Sequence, residues 1–235
     1  MSVTLRRSQD RGHADRGWLD ARFSFSFADY HDPAYMGFSV LRVLNEDVIA
    51  PGRGFGPHAH RDMEILTYMI GGRLRHRDSM GEERVLGPNE VQAMSAGTGI
   101  VHSEFNASET EPSHSIQIWI EPRSEDLVPA YQQIAFEPAE KTNRLRLLAG
   151  PETSGDPGVV RIHQDARVWV TQLEGGQTVT AVIGPGRQAW IQVLGGDLLV
   201  AGHRVSQGDG VAISGQRGVT IAGADHGEAL VFDLP

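Results

Sequence analysis

The 235-residue chain predicts an all-β fold made of two copies of one antiparallel β-barrel. Three observations carry that expectation. Short apolar runs recur roughly every ten residues between Gly, Pro, Asn and Asp, the spacing of strands in a sandwich or barrel. Helical patterning is weak, and one short helix is expected, at "EDLVPAYQQI", interrupted by Pro129. Two stretches also recur in the same order. "TYMIGGRL", ending at Leu74, resembles "IQVLGGDL", ending at Leu198. "NEVQAMSAGTGIV", from Asn89, resembles "GDGVAISGQRGVT", from Gly208. Self-similarity of this kind marks a repeated architecture.

In chain order the expected strands are "FSVLRVLN", "EILTYMI", "VQAMSA", "SIQIWIEP", "VWVTQLE", "AWIQVL", "LLVAG", "GVAIS" and "ALVFDLP". The charged, Gly-rich segment from Glu137 to Gly158 reads as the connection. An N-terminal domain over residues 1–137 and a C-terminal domain over 138–235 follow. "GGDLLVAG" and "GPGRQ" read as hairpin turns, because neither leads from a strand into a helix as a phosphate loop requires.

Composition narrows the chemistry. Apolar residues make up 40% and charged residues 22%, as in ordinary soluble domains. The net charge of -9 gives no general attraction to nucleic acid or anionic membrane. The chain has no cysteine, so disulfides, thiolate nucleophiles and zinc–thiolate sites are excluded and any metal must be held by His, Asp or Glu. Basic residues are nearly all Arg, with Lys141 the one lysine. No apolar signal core opens the chain, and nothing approaches the ~20 apolar residues of a spanning helix. A soluble, cytoplasmic protein is expected, and a monomer, since two barrels in one chain cover some of each other's edges.

The stretch "GPHAHRDMEILTYMIGG" places His58 and His60 two apart, with Glu64 four further on. Residues i and i+2 of a strand share a face, so the two imidazoles project side by side. His102 and Glu104 in "GIVHSEFN" repeat that geometry. A lone H-x-H is more often a solvated strand face. Two same-face pairs beside Gly-rich turns favour three imidazoles and a carboxylate around one ion, an N/O set that suits Fe(II) and leaves positions open. Both Glu64 and Glu104 are available as the carboxylate. Strand parity does not choose between them, because Arg61-Asp62 can form a turn that breaks the register.

The repeat supplies a control. Its offsets place Val182, Gly184 and Gln188 opposite His58, His60 and Glu64, and Ile221 and Gly223 opposite His102 and Glu104. The second copy keeps none of these side chains, which argues that they serve chemistry and not folding.

Gly52-x5-His58-x-His60-x3-Glu64-x6-Gly71 and Gly99-x2-His102-x3-Asn106 resemble the two cupin motifs, with one departure: Gly97 stands where the second motif has Pro. Two copies make the chain resemble a bicupin. From Gly12 to Trp119 above all, it resembles the pirin family, and in particular the bacterial members described as quercetin 2,3-dioxygenase-like. That resemblance implies an N-terminal metal-binding cupin and a degenerate C-terminal one. It implies one divalent ion, usually iron, although other first-row metals would be accepted. It implies His58, His60, His102 and Glu104 as ligands and leaves Glu64 as a supporting group. It further implies a dioxygenase that opens the heterocyclic ring of quercetin-like flavonols with dioxygen and releases carbon monoxide, Glu104 accepting the substrate's hydroxyl proton. The alternative it offers is non-enzymatic: a redox-sensitive, metal-containing regulator that binds a protein partner.

Other residues are read conservatively. His76, His114, His163, His203 and His226 lack pairing geometry and are expected in surface or structural roles. Tyr30, His31, Tyr35, Met36 and Phe38 could border a pocket mouth, though such clusters are more often core. Gln117, alternating with Ile116 and Ile118, could line the barrel interior or lie on the surface.

Overall fold

The structure, a computed structural model, describes residues 2–152 and 158–235. It forms two compact units. One comprises Gly12–Phe136 and Val160–Gln164; the other comprises Met1–Arg11, Glu137–Val159 and Asp165–Pro235. Each is antiparallel throughout its named strand pairs, and no described residue is in an α-helix. Among the described residues, no helix is long and apolar enough to cross a membrane.

The strands run in chain order as β1 (Ser2–Arg6), β2 (Gly12–Asp15), β3 (Leu19–Phe23), β4 (Leu41–Ile49), β5 (Gly54–His60), β6 (Glu64–Gly71), β7 (Leu74–Asp78), β8 (Glu83–Leu86), β9 (Glu90–Ser95), β10 (Ile100–Asn106), β11 (Ser113–Ile120) and β12 (Ala130–Ala135). Strands β2 to β12 form two sheets that enclose the first barrel. One is ordered β12-β9-β6-β11-β4-β3-β2 and the other β5-β10-β7-β8. Inward positions alternate as the pleat requires. Along β10, Ile100, His102, Glu104 and Asn106 are buried while Val101 and Phe105 are exposed.

In the second unit, β13 (Arg146–Pro151), β15 (Arg167–Glu174), β16 (Thr178–Val182), β17 (Gln188–Val200), β18 (His203–Ser206), β19 (Gly210–Ser214) and β20 (Gly218–Leu234) pair around a continuous apolar core. Strand β1 adds to β19 in this sheet, and β14 (Val160–Ile162) belongs to the first unit. The chain is thus a pair of β-barrels, the bicupin architecture.

The two repeat offsets agree at one pairing. Glu64 lies opposite Ser95 in the first barrel, and Gln188 opposite Ser214 in the second. One part of the alignment is corrected. His58 pairs with His102, but Ile221 pairs with Val179 and not Val182. At this place the second barrel has apolar side chains, with Ile221 fully buried and Val179 packed on the core.

The helix expected at "EDLVPAYQQI" does not form. Ala130–Ala135 is a strand paired with β9. Pro129 pushes Val128 out of the helical region, and Asp126 takes a left-handed φ of 58°. The runs "AWIQVL" and "LLVAG" also prove to be one strand, β17, which bends at bulges beside Gly195 and Gly196. In the first barrel the equivalent stretch breaks into β6 and β7.

Candidate metal centre

The first barrel brings His58, His60 and His102 to one point. His102 Nε2 lies 3.0 Å from both His58 Nε2 and His60 Nε2. Strand pairing places His102 directly opposite His58. Between that pair and Glu104–Phe55 the register slips by one residue. Gly56 and Pro57 sit at this bulge, where Pro can be accommodated because it offers no ladder N–H. Gly54 allows β5 to approach closely here: a Cβ would lie 2.2 Å from the Glu104 carbonyl oxygen. Gly97, where the motif departs, has a φ of +45°, and a Cβ on it would lie 1.9 Å from the Leu127 carbonyl oxygen. Proline cannot adopt that φ, so this turn is built on glycine.

Proton bookkeeping defines what the three imidazoles can do. His58 Nδ1 is 2.8 Å from the Gly56 carbonyl oxygen, so Nδ1 carries the proton and donates it, leaving Nε2 a bare lone pair. The Asp78 carboxylate lies 3.0 Å from His76 Nε2, and His76 Nδ1 lies 3.4 Å from His102 Nδ1. With Asp78 accepting, His76 donates through Nε2 and accepts through Nδ1. His102 then donates through Nδ1 and also presents a bare Nε2 lone pair. Two lone pairs facing each other at 3.0 Å repel in the absence of a proton or a cation. The donor set therefore fits a metal ion. Burial first, and then the neighbouring imidazoles, hold His102 down to about 3 and His60 down to about 4, so both stay neutral and ligand-ready near neutrality.

Glu104 is 3% exposed and adjoins this group. Gln92 Nε2 donates to one carboxylate oxygen at 2.9 Å and Gln117 Nε2 to the other at 2.9 Å. Gln92 also donates to Thr67 Oγ1 at 3.0 Å, and the Thr67 hydroxyl donates to Gln117 Oε1 at 3.1 Å. Gln117 therefore faces the barrel interior, which settles its placement. Tyr131 extends the network by donating to Gln92 Oε1 at 3.1 Å.

Glu64 faces elsewhere. Asp62, with a φ of 46°, turns the chain between β5 of one sheet and β6 of the other. The Glu64 carboxylate accepts from Ser95 Oγ at 2.8 Å and bonds His163 Nδ1 at 3.2 Å. Burial raises its pKa above the usual carboxylate range.

Three histidines read as unpaired are paired. His76 is fully buried, bonded to Asp78 and His102 and stacked on Tyr131 at 4.7 Å. His76, His102 and Glu104 form a second grouping able to take an ion. The signal available was the alternation in "LRHRD", which puts His76 and Asp78 on one strand face. His163 is paired with Glu64, and His114 with Glu46 at 3.0 Å.

The site opens into a cavity of about 420 Å³, within the range of small-molecule sites. Trp18, Phe23, Phe27, Phe55 and Trp119 wall it, with Arg16, His58, His60, Glu104, Gln117, Asn45 and Asp47 as its polar lining. Trp119 meets His60 edge to face at 4.9 Å. Burial, then repulsion from Glu104 and Glu46, pushes the Asp47 carboxyl up to about 7. Tyr30, His31, Tyr35, Met36 and Phe38 are not among the lining residues. Tyr30 instead packs on the apolar core of the first barrel. Asn45 and Asp47 were missed; their signal is two polar residues at inward positions of the otherwise apolar alternation Leu41, Val43, Ile49.

Barrel, imidazole cluster and aromatic cavity together define a two-barrel cupin with a candidate metal site in its N-terminal barrel. The Pirin family profile matches residues 4–120, and the profile of the quercetinase C-terminal cupin domain matches residues 147–234. The chain is 43% identical to quercetin 2,3-dioxygenase of Escherichia coli K12 over 99% of both chains. It is 39% identical to a pirin-like protein of Caulobacter vibrioides over 94% of this chain and 95% of that one. It superimposes on the crystal structure of the E. coli bacterial pirin YhhW in complex with nickel(II) with a TM-score of 0.94. That match has 42% identity and covers 100% of this chain and 99% of the other. The chain belongs to the pirin family.

Proposed function

We propose that the chain is a metal-dependent dioxygenase of the quercetin 2,3-dioxygenase type, with His58, His60, His102 and Glu104 holding one divalent ion. The observation that carries this reading is the convergence of three imidazoles beside Glu104 at the end of an aromatic-walled cavity. The names of its relatives support the same activity. The donor set suits Fe(II) and equally accepts nickel, manganese or cobalt, and nickel is the ion in the E. coli relative's complex.

An ion held by His58, His60, His102 and Glu104 would supply Lewis acidity and a site for dioxygen chemistry. The chain's own residues do the rest. Trp18, Phe27, Phe55 and Trp119 sandwich a planar aromatic substrate and exclude water. Glu104, fixed by two amide donors, keeps one lone pair on each oxygen and receives the proton of the substrate's enolic hydroxyl. Gln92 and Gln117 hold that carboxylate in place, which confines the reacting groups to a productive geometry. In the proposed reaction both atoms of dioxygen enter the heterocycle, which opens and releases carbon monoxide.

Oxygen uptake and carbon monoxide release with quercetin, measured on metal-reconstituted protein, test this. His58→Ala and His102→Ala are each expected to lose the metal and at least a hundredfold in turnover. Full activity in either variant overturns the ligand assignment. Absence of turnover by the metal-replete wild type with several flavonols overturns the dioxygenase reading and favours the regulatory one.

A further inference from the structure

A single row of side chains crosses the inner face of the larger sheet of the first barrel. Gln92 lies opposite Thr67, Thr67 opposite Gln117, and Gln117 opposite Asn45. The first three rungs are joined to one another and to Glu104 by hydrogen bonds of 2.9–3.1 Å. Asn45, the fourth rung, is 3% exposed and lines the cavity, yet its Oδ1 has no hydrogen-bond partner among the described residues. A buried amide oxygen left in this state costs about 1–3 kcal/mol. Such groups are rare enough in folded chains to require an explanation.

Two residues along the same face of β4, Asp47 also lines the cavity, at 7% exposure. The space above it has a definite origin. Ala21 lies opposite Asp47 in β3, and Ala14 opposite Ala21 in β2. Both alanines line the cavity, so the wall recedes where Asp47 enters. Two hydrogen-bond acceptors therefore share one strand face beneath open room, in a cavity whose other walls include Trp18, Phe23, Phe27, Phe55 and Trp119 and, among charged side chains, Arg16 and Glu104.

We propose that Asn45 and Asp47 form a hydroxyl-recognising subsite that accepts phenolic O–H donors of the substrate other than the enol held beside Glu104. The inference rests on reading the cavity as a flavonol-type site, and it adds the selector for ring hydroxylation. Its ligand is a planar polyphenol with one or two such donors. A hydroxyl reaching Asn45 Oδ1 satisfies the orphaned oxygen. An analogue without it leaves that oxygen buried and unpaired, which is the situation in which polar sites discriminate strongly.

Calorimetry under nitrogen, with metal-loaded protein, compares quercetin with 3-hydroxyflavone, which keeps the enol but carries no other hydroxyl. Wild type is expected to bind quercetin at least tenfold more tightly. Asn45→Leu and Asp47→Leu should each weaken quercetin about tenfold while leaving 3-hydroxyflavone within twofold, and melting temperatures confirm that the variants fold. Equal loss for both ligands, or a wild type that does not distinguish them, overturns the subsite alone. If no flavonol binds the wild type, the flavonol reading falls and the subsite falls with it.

Discussion

Asp78→Asn is the most demanding substitution for the chain of protons that prepares His102. Asp78 Oδ1 accepts the backbone N–H groups of Met80 at 2.8 Å and Glu82 at 3.1 Å, while Oδ2 faces His76 Nε2. Those two backbone donors pin an oxygen at the first position, so the new amide must present its NH₂ to His76. His76 Nε2 becomes the acceptor and Nδ1 the donor. His102 Nδ1 must then accept, and the proton moves to His102 Nε2, the atom that faces His58 and His60. No hydrogen bond is lost, so the metal-free variant should retain its stability to within ~1 kcal/mol. Metal binding has to reverse the tautomer and restore an unfavourable NH₂ contact. Losses of about 10–100-fold are typical when the outer partner of a ligating histidine is altered, equivalent to roughly 1.4–2.8 kcal/mol. Competition with a chromophoric chelator for cobalt(II) or nickel(II) reads this directly. An affinity within twofold of wild type would refute the proton chain.

Two further outcomes follow from the same geometry. Glu104→Gln should lower metal affinity at least tenfold, whereas Glu64→Gln, bonded to Ser95 and His163, should leave it within twofold in the same competition assay; the reverse ranking would make Glu64 the ligand. Metal binding should also resist mild acid. Protons compete for an imidazole only below its pKa, and burial lowers His60 and His102 to about 4 and about 3. Between pH 7.5 and 5.5 these two should therefore contribute almost nothing to the fall in affinity, where two ordinary imidazoles would contribute about a hundredfold. A hundredfold loss across that window, with the fold intact by circular dichroism, would contradict the assignment.

The metal-ligand candidates were legible in the sequence because two-residue spacing is a strand property that needs no tertiary information. His58 with His60, and His102 with Glu104, could be paired on sight, and the sequence repeat places other residue types opposite them in the second copy. What stayed hidden depends on cross-strand register, which a single sequence does not display. His76 becomes part of the site only because β7 places it opposite Glu104. The row Gln92, Thr67, Gln117, Asn45 draws on four strands far apart in the chain. Glu64 sits at the motif position of a ligand, yet the left-handed turn at Asp62 sends it into the other sheet. The false helix at "EDLVPAYQQI" arose from composition, which a proline and an available strand edge on β9 overrode.

The two barrels exchange segments. Val160–Gln164 follows the connection in sequence yet belongs to the first unit, and β1 opens the chain yet pairs with β19 in the second. On the ribosome, the first barrel cannot be finished until residue 164 has emerged, and β1 has no partner until β19 has been made. A gene fragment ending at residue 137 would bury Glu64 without its His163 partner. The second barrel therefore cannot be pared away by a single truncation at residue 137 without removing Val160–Gln164 from the first unit and leaving β1 without its partner strand.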